Sequence, residues 1–122
     1  MDRSARISII DDDSLVRDAL CRLCTSAGYQ VEAFGSAEAF VETVSAEQTD
    51  CLILDVHLPG RSGLELQSDL LAANLRFPIV FVTAFEDKQA KMQGLKRGAV
   101  EFLLKPLDSK KLLDAIDRTL HK

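Results

Sequence analysis

Three consecutive carboxylates, those of Asp11, Asp12 and Asp13, follow directly on a mainly apolar run at residues 7–10. Carboxylates crowded at the end of a buried strand repel one another, by about 1 kcal/mol per pair at 4 Å in water and several times more in a partly buried crevice. A divalent cation would relieve that repulsion, and oxygen ligands of this kind suit Mg²⁺. An acidic run is also typical of a solvated helix N-terminus. Residues 11–13 alone therefore leave both interpretations open.

Three further apolar runs end in polar side chains that suit phosphoryl chemistry. Residues 51–54 lead into Asp55, residues 79–82 into Thr83, and residues 102–104 into Lys105. Carboxylates, a hydroxyl and an ammonium gathered at one edge suit a divalent cation and a phosphoryl group. Asp55 is then the candidate nucleophile that accepts the phosphoryl group. The recurrence of the pattern at four strand ends favours the cation site over the solvated helix start.

Short apolar runs alternate along the chain with amphipathic stretches of about ten residues or more, a pattern typical of βα units and a parallel sheet. Strands are predicted over residues 6–10, 31–34, 51–54, 79–82 and 101–104. Helices are predicted over residues 14–27, 36–44, 64–73, 87–97 and 109–120. These boundaries rest on helix caps and stops at Ser14, Ser36, Asp87, Gly28 and Gly98.

The order of the strands follows from their polarity and from connection rules. The second strand is the most polar and is expected at an edge, and crossovers between parallel strands are right-handed. These rules favour a doubly wound, flavodoxin-like (βα)5 sheet in the order 2-1-3-4-5. Its topological switch point lies between strands one and three, where ligands bind in such sheets. Asp11, Asp12 and Asp55 leave those two strands, so topology and motif predict the same site.

Size and composition set limits on the function. A chain of 122 residues with 47% hydrophobic content fits one domain covering residues 1–122. A net charge of −4 without a basic cluster argues against direct nucleic-acid binding, so DNA contact would need an output domain outside this chain. No apolar run approaches the roughly 20 residues of a membrane span, and the polar start is unlike a signal peptide. The expected location is the cytoplasm, without membrane association.

Three cysteines fit a reducing compartment better than a disulfide framework. Cys21 and Cys24 form a C-x-x-C, but Cys24 continues the apolar stripe of the first predicted helix. The sequence offers no second pair of cysteines or histidines to complete a zinc site. Cys51 lies in an apolar strand. All three cysteines are therefore interpreted as structural.

The acidic pair, Leu54-Asp55 through Pro59-Gly60, Val82-Thr83-Ala84 and Lys105-Pro106 together resemble the motifs of receiver domains from two-component response regulators. The resemblance covers essentially the whole chain. It implies a phosphoacceptor domain, not an independent enzyme, that assists its own phosphorylation and dephosphorylation.

The same resemblance assigns roles to individual residues. Asp55 would accept a phosphoryl group from a sensor histidine kinase, and Thr83 and Lys105 would contact its oxygens. Mg²⁺, with Mn²⁺ as the alternative, would bind the side chains of Asp12 and Asp55, Asp11 through water, and the backbone carbonyl of His57. The Lys105-Pro106 bond is expected to be cis.

Phe102 stands where receivers carry a switch aromatic that moves when Thr83 turns toward the phosphoryl group; core packing is the alternative role. The output surface would comprise the fourth helix, fifth strand and fifth helix, through which receivers commonly form homodimers. Residues 35–40 resemble receivers that precede a LuxR-type helix-turn-helix, which indicates a transcriptional output. His57 and Phe85 border the phosphoryl position and are expected to tune the lifetime of the phosphate.

The same residues are compatible with two other functions. A phosphatase of the haloacid dehalogenase type also uses a strand-end aspartate and Mg²⁺, but it would place a second aspartate where His57 stands. A phosphate-independent interaction module would not require the acidic, threonine and lysine positions that this chain retains. Turnover of a phosphomonoester would support the phosphatase. Failure to take up phosphate from a small donor would support the phosphate-independent module.

Overall fold

The computed structural model describes residues 5–42 and 49–120. Strands and helices alternate along these ranges. The elements are β1 (Arg6–Ile10), α1 (Ser14–Ser26), β2 (Gln30–Phe34), α2 (Ala37–Val41), β3 (Cys51–Asp55), α3 (Gly63–Ala72), β4 (Ile79–Thr83), α4 (Lys88–Lys96), β5 (Glu101–Leu104) and α5 (Ser109–Leu120).

The predicted elements are confirmed with small shifts at their ends. Strand β2 begins one residue earlier than predicted, and α3 begins and ends one residue earlier. Helix α2 ends at Val41; the predicted extension to Val44 lies outside the described residues.

The five strands form one parallel sheet in the order β2-β1-β3-β4-β5, as predicted. Ile10 pairs with Leu54, and Leu54 pairs with Phe81, so the carboxyl ends of the three central strands are aligned. Strand β2 lies at an edge and is largely exposed, which accounts for its polar sequence. The residues that follow β1, β3 and β4 must therefore lie close together at one edge of the sheet.

Two apolar clusters cover the two faces of the sheet. Alternate residues of the inner strands point to opposite faces, so Ile53 joins one cluster and Leu54 the other. Helices α2, α3 and α4 contribute to the cluster around Leu54 and Phe81, and α1 and α5 contribute to the cluster around Ile53. The continuous apolar runs in the sequence follow from burial of both faces.

Asp13, not Ser14, caps helix α1, so the predicted cap was wrong by one residue. The Asp13 carboxylate accepts hydrogen bonds from the backbone N–H groups of Leu15, at 2.9 Å, and Val16, at 3.4 Å. A carboxylate satisfies two free N–H groups and complements the positive end of the helix, which a hydroxyl does less well. The third acid of the run is thereby used as a cap.

The other predicted caps are confirmed. Ser36 accepts from the Ala39 N–H at 3.1 Å, and Asp87 accepts from the Ala90 N–H at 3.0 Å. Gly28 and Gly98 follow α1 and α4 with φ of 96° and 105°, a conformation that favours glycine. Ser36 and Asp87 therefore mark the starts of α2 and α4, and Gly28 and Gly98 mark the ends of α1 and α4, as the sequence predicted.

The three cysteines are free thiols, and Cys24 and Cys51 are fully buried. Burial raises the pKa of the Cys24 thiol to about 11 and that of Cys51 to about 12. Both thiols therefore stay protonated at neutral pH, because thiolate formation is disfavoured in an apolar core. This agrees with their interpretation as structural residues.

Within the described ranges the longest helix is α1, with 13 residues. None of these helices has the length and apolar character needed to cross a bilayer.

Candidate functional site

The acidic residues that follow β1 and end β3 converge at the carboxyl edge of the sheet. Carboxylate oxygens of Asp11, Asp12 and Asp55 all lie within 4.8 Å of one another. Asp11 and Asp55 are buried, with 0% and 4% of their surfaces exposed, whereas Asp12 is open to solvent. Three oxygen donors with one open side match the preference of Mg²⁺ for carboxylates and retained water. The cluster therefore fits a magnesium ion.

Lys105 brings a positive charge to the same site. Its Nζ lies 2.8 Å from Asp11 Oδ2 and 3.3 Å from Asp55 Oδ2. The contact with Asp55 is a hydrogen bond, and the closer contact with Asp11 is an ion pair. The Lys105-Pro106 bond is cis, as predicted. The lysine ammonium thus bridges the two buried carboxylates.

Burial, hydrogen bonds and neighbouring charges together shift the pKa values of Asp55 and Lys105. Burial raises the pKa of the Asp55 carboxyl, and the negative charge of Asp11 adds to the rise, against the lowering by the His57 N–H and Lys105. Burial alone would lower the pKa of Lys105, but its contacts with Asp11 and Asp55 outweigh burial and raise it. The ammonium therefore stays charged at neutral pH. One lysine does not fully compensate the carboxylates, so a bound cation would stabilise ionised Asp55 further.

Thr83 ends β4, directly after Val82, the residue that pairs with Asp55 in the sheet, and it is fully buried. Its hydroxyl donates to the Phe85 carbonyl at 3.3 Å and accepts from the Phe85 N–H at 3.2 Å. The hydroxyl is thus engaged with the loop after β4. To reach a phosphoryl oxygen it would have to give up the bond to the carbonyl.

Residues 7–117 match the family model described as the response regulator receiver domain. The chain is a receiver domain of the response regulator family. Nodulation protein W of Bradyrhizobium diazoefficiens is 41% identical over 112 residues, which are 92% of this chain and 49% of that protein. Response regulator protein TodT of Pseudomonas putida is 40% identical over 119 residues, which are 98% of this chain and 52% of that protein.

Solved structures of relatives have the same fold. The low-resolution structure of response regulator StyR matches with a TM-score of 0.89 and 44% identity, covering 97% of this chain and 60% of that chain. The crystal structure of FixJ-N matches with a TM-score of 0.86 and 30% identity, covering 98% of this chain and 97% of that chain. The receiver spans about half the length of the curated relatives named above.

The arrangement of the site agrees with what is general for the family. Receiver domains are phosphorylated by sensor histidine kinases and bind Mg²⁺ at an acidic pocket. In this receiver the corresponding pocket is formed by Asp11, Asp12 and Asp55. The resemblance recognised in the sequence is confirmed at the level of family and fold.

Two aromatic rings stand together beside this pocket. The His57 backbone N–H donates to Asp55 Oδ1 at 3.1 Å, and the His57 side chain is exposed. Its ring meets that of Phe85 edge to face, with centroids 5.5 Å apart. The loops after β3 and β4 are therefore in contact through two rings next to the phosphoacceptor candidate. The roles of the His57 carbonyl as a metal ligand and of both rings in phosphate lifetime remain predictions.

Phe102 is buried in the core cluster, with its ring centroid 5.5 Å from that of Phe81. Core packing, the alternative role, is thus what the described arrangement shows. The switching role of Phe102 remains a prediction.

Gly63, at the start of α3, has a role in the site that the sequence analysis did not identify. Its N–H donates to the Val56 carbonyl at 2.9 Å, and a Cβ at this position would lie 2.3 Å from the Asp55 carbonyl oxygen. Only glycine allows this approach of α3 to the end of β3. Proline and glycine at residues 59, 60 and 63 are typical of a turn, and such a pattern does not reveal a contact with Asp55.

Proposed function

We propose that this receiver is a phosphoacceptor signalling domain in which Asp55 takes a phosphoryl group from a sensor histidine kinase. The observation that carries the proposal is the gathering of three carboxylates within 4.8 Å, two of them bridged by Lys105. The domain assists this transfer and the later hydrolysis of its own phosphate without acting on other substrates. The switch between the two states would control an output.

In the transfer, an Asp55 carboxylate oxygen forms a bond to phosphorus while the bond between phosphorus and the donor breaks. The side chains of Asp12 and Asp55, Asp11 through water, and the His57 carbonyl would hold the magnesium ion. When bound, the ion neutralises charge that develops on the phosphoryl oxygens. Lys105 keeps its ammonium beside Asp55, and the Thr83 hydroxyl would turn from the Phe85 carbonyl to a phosphoryl oxygen.

Phosphorylation by a small donor tests this proposal. Incubation with acetyl phosphate and Mg²⁺, followed by intact-protein mass spectrometry, should show one added phosphoryl group. Excess EDTA should suppress the addition, because the carboxylates would then lack their cation. Undiminished labelling in EDTA would contradict the metal site. Absence of labelling in Mg²⁺ would favour the phosphate-independent module, and steady turnover of p-nitrophenyl phosphate would favour the phosphatase.

Replacing Phe85 with Glu is expected to shorten the lifetime of phosphorylated Asp55. Hydrolysis needs a water aligned opposite the Asp55 oxygen, and the Phe85 ring, packed against His57, can neither orient nor activate water. A carboxylate or an amide can orient a water, so Phe85→Glu and Phe85→Asn should lose phosphate faster. Loss is measured by following the phosphorylated mass after removal of the donor.

Val41→Glu is a suitable control for the Phe85 variants, because Val41 is also exposed but lies on α2, away from the pocket and from the α4, β5 and α5 surface. Its phosphate should last as long as that of the natural sequence. A lifetime in Phe85→Glu equal to or longer than the natural one would contradict the shielding role.

The output is proposed to be transcriptional. Relatives at 34 to 36% identity are transcriptional regulatory proteins, FixJ of Bradyrhizobium diazoefficiens and TdiR of Thauera aromatica. DNA binding would then come from an output domain outside this chain, since the receiver has a net charge of −4. Such a regulator would work in the cytoplasm.

The surface formed by α4, β5 and α5 is proposed to mediate a phosphorylation-dependent homodimer. It exposes apolar side chains of Met92, Leu95 and Leu104 and carries a groove of about 380 Å³ that reaches Phe102. Basic residues at the α4 side could face acidic residues at the α5 side across a two-fold axis. The basic residues are Lys88, Lys91, Lys96 and Arg97, and the acidic residues are Asp108, Asp114 and Asp117.

Sedimentation with and without beryllofluoride, a mimic of the phosphoryl group, should show a weak dimer only in the treated sample. Exposed ion pairs contribute little each and are screened by salt, so the dimer should weaken as ionic strength rises. A monomer in both states at high protein concentration would remove the dimer and favour a monomeric, partner-binding output.

A further inference from the structure

Arg17 contacts the backbone of the acidic run. Its N–H bonds to the Asp13 carbonyl at 2.9 Å, so Arg17 lies one turn into α1 from the cap. Side chains of a helix point back toward its N-terminus, and the Arg17 guanidinium accordingly returns to the end of β1. There Nη1 donates to the Asp11 backbone carbonyl at 2.8 Å. The arginine touches a peptide group of the pocket and none of its carboxylates.

The space for this guanidinium is left by Gly35, which follows β2. A Cβ on Gly35 would lie 3.2 Å from Arg17 Nη1 and 3.7 Å from its Cζ. The neighbouring Phe34 carbonyl accepts the Asp11 N–H at 3.1 Å. The end of β2 therefore supports the Asp11 backbone in two ways. Phe34 accepts a hydrogen bond from the Asp11 N–H, and Gly35 leaves room for the Arg17 guanidinium that binds the Asp11 carbonyl.

Together these bonds fix both backbone groups of Asp11. Its N–H is held by Phe34, its carbonyl by Arg17, and its Oδ1 accepts the Asp13 N–H at 2.9 Å. The Asp11 carbonyl belongs to the peptide unit that also sets the direction of Asp12. Asp12 is exposed, and packing does little to hold its position. The bond from Arg17 thus holds the carbonyl of the Asp11–Asp12 peptide.

We propose that Arg17 is a positioning residue for the divalent-cation site, acting through the Asp11 carbonyl in the space that Gly35 leaves. This inference rests on the proposed function, since it concerns the cation that the phosphoacceptor site uses. Residues that orient metal ligands without touching the metal typically change metal affinity 10- to 100-fold when they are replaced.

The charge of Arg17 and its hydrogen bond to Asp11 should change the Mg²⁺ affinity in opposite directions, so the positioning role can be measured. A guanidinium near the pocket repels a cation, so loss of its charge alone should tighten Mg²⁺ binding. Loss of its bond to Asp11 should weaken binding, because Asp11 and Asp12 would no longer be oriented in advance. The sign of the change in affinity therefore separates positioning from a mere effect of charge.

The test is a Mg²⁺ titration of the unphosphorylated protein at constant ionic strength, followed by amide shifts in NMR spectra. Arg17→Met keeps the apolar stem but has no donor, and we expect it to bind Mg²⁺ about 10-fold more weakly. Arg17→Lys, which keeps the charge and a donor, should recover part of that loss. Arg22→Met removes the same charge from an exposed position of α1 and should bind Mg²⁺ as tightly as the natural sequence, or slightly more tightly.

Gly35→Val provides an independent variant that preserves every charge. Its side chain would displace the guanidinium from the Asp11 carbonyl, so Mg²⁺ binding should weaken, and the double variant with Arg17→Met should bind no more weakly than Arg17→Met alone. Circular dichroism in EDTA checks the fold of each variant; if Arg17→Met does not fold, Gly35→Val decides.

Unchanged or tighter binding in a folded Arg17→Met, or unchanged binding in Gly35→Val where Arg17→Met fails to fold, would overturn the positioning role and leave the proposed function intact. Absence of Mg²⁺ binding by the natural sequence would overturn both this inference and the metal site of the proposed function.

Discussion

Asp55→Asn should take up no phosphoryl group from acetyl phosphate under conditions that label the natural sequence. An amide nitrogen and oxygen in place of the carboxylate cannot form the acyl phosphate, because the amide is a far weaker nucleophile. Asp55 is also the acid that contacts both Lys105 and the His57 N–H, so no neighbouring carboxylate has the same surroundings. Intact-protein mass spectrometry after equal incubation times measures the loss.

Asp13→Asn is the matched control for this experiment. Asp13 belongs to the same acidic run, but its carboxylate caps α1, and asparagine caps helices about as well as aspartate. We therefore expect Asp13→Asn to be labelled like the natural sequence. A phosphate adduct that persists in Asp55→Asn would refute the assignment of the phosphoacceptor. Lost labelling in Asp13→Asn would mean that the third acid takes part in the chemistry.

Gly63→Ala should destabilise the domain more than an alanine substitution usually does. The added Cβ would lie 2.3 Å from the Asp55 carbonyl oxygen and 3.1 Å from the Val56 Cα, and backbone atoms cannot move aside as a side chain can. Helix α3 would have to move away from the end of β3. Overpacking of this kind costs about 3 kcal/mol at the upper end of its usual range. Urea unfolding followed by circular dichroism in EDTA measures the free energy of unfolding.

Gly35→Ala serves as the comparison for Gly63→Ala. Among the described residues, its Cβ would meet only the Arg17 guanidinium, at 3.2 Å, and the end of a long side chain can shift by a few tenths of an ångström. The free energy of unfolding should change by less than about 1 kcal/mol, since alanine also restricts the unfolded chain. Equal stabilities of the two variants would contradict the close approach of α3 to Asp55.

Much of the fold could be predicted because its signals are local. The apolar runs that end at Asp11, Asp55 and Thr83 are strands buried on both faces, and such strands need no tertiary information to recognise. Parallel strands joined by helices must point the same way, so polar residues at their carboxyl ends had to meet. The sheet order followed from the same rules together with the polarity of β2.

Other features depended on contacts between residues far apart in the sequence. The cap of α1 was misassigned because Ser14 and Asp13 are both good caps, and only the path of the chain after β1 selects between them. The engagement of Thr83 with Phe85, and the packing of Phe102 on Phe81, depend on side-chain orientations that residue spacing does not encode. The sequence named these residues without predicting their arrangement.

By itself, therefore, the sequence determined the parallel α/β sheet, the edge at which its chemistry lies, and the residues Asp11, Asp12, Asp55, Thr83 and Lys105 that lie there. Only the tertiary structure showed how closely these groups approach and which residues hold them. Gly63 lies close to the Asp55 carbonyl, and Arg17 donates a hydrogen bond to the Asp11 carbonyl. Periodicity and composition report which face of an element is buried, whereas such contacts depend on how two elements pack against each other.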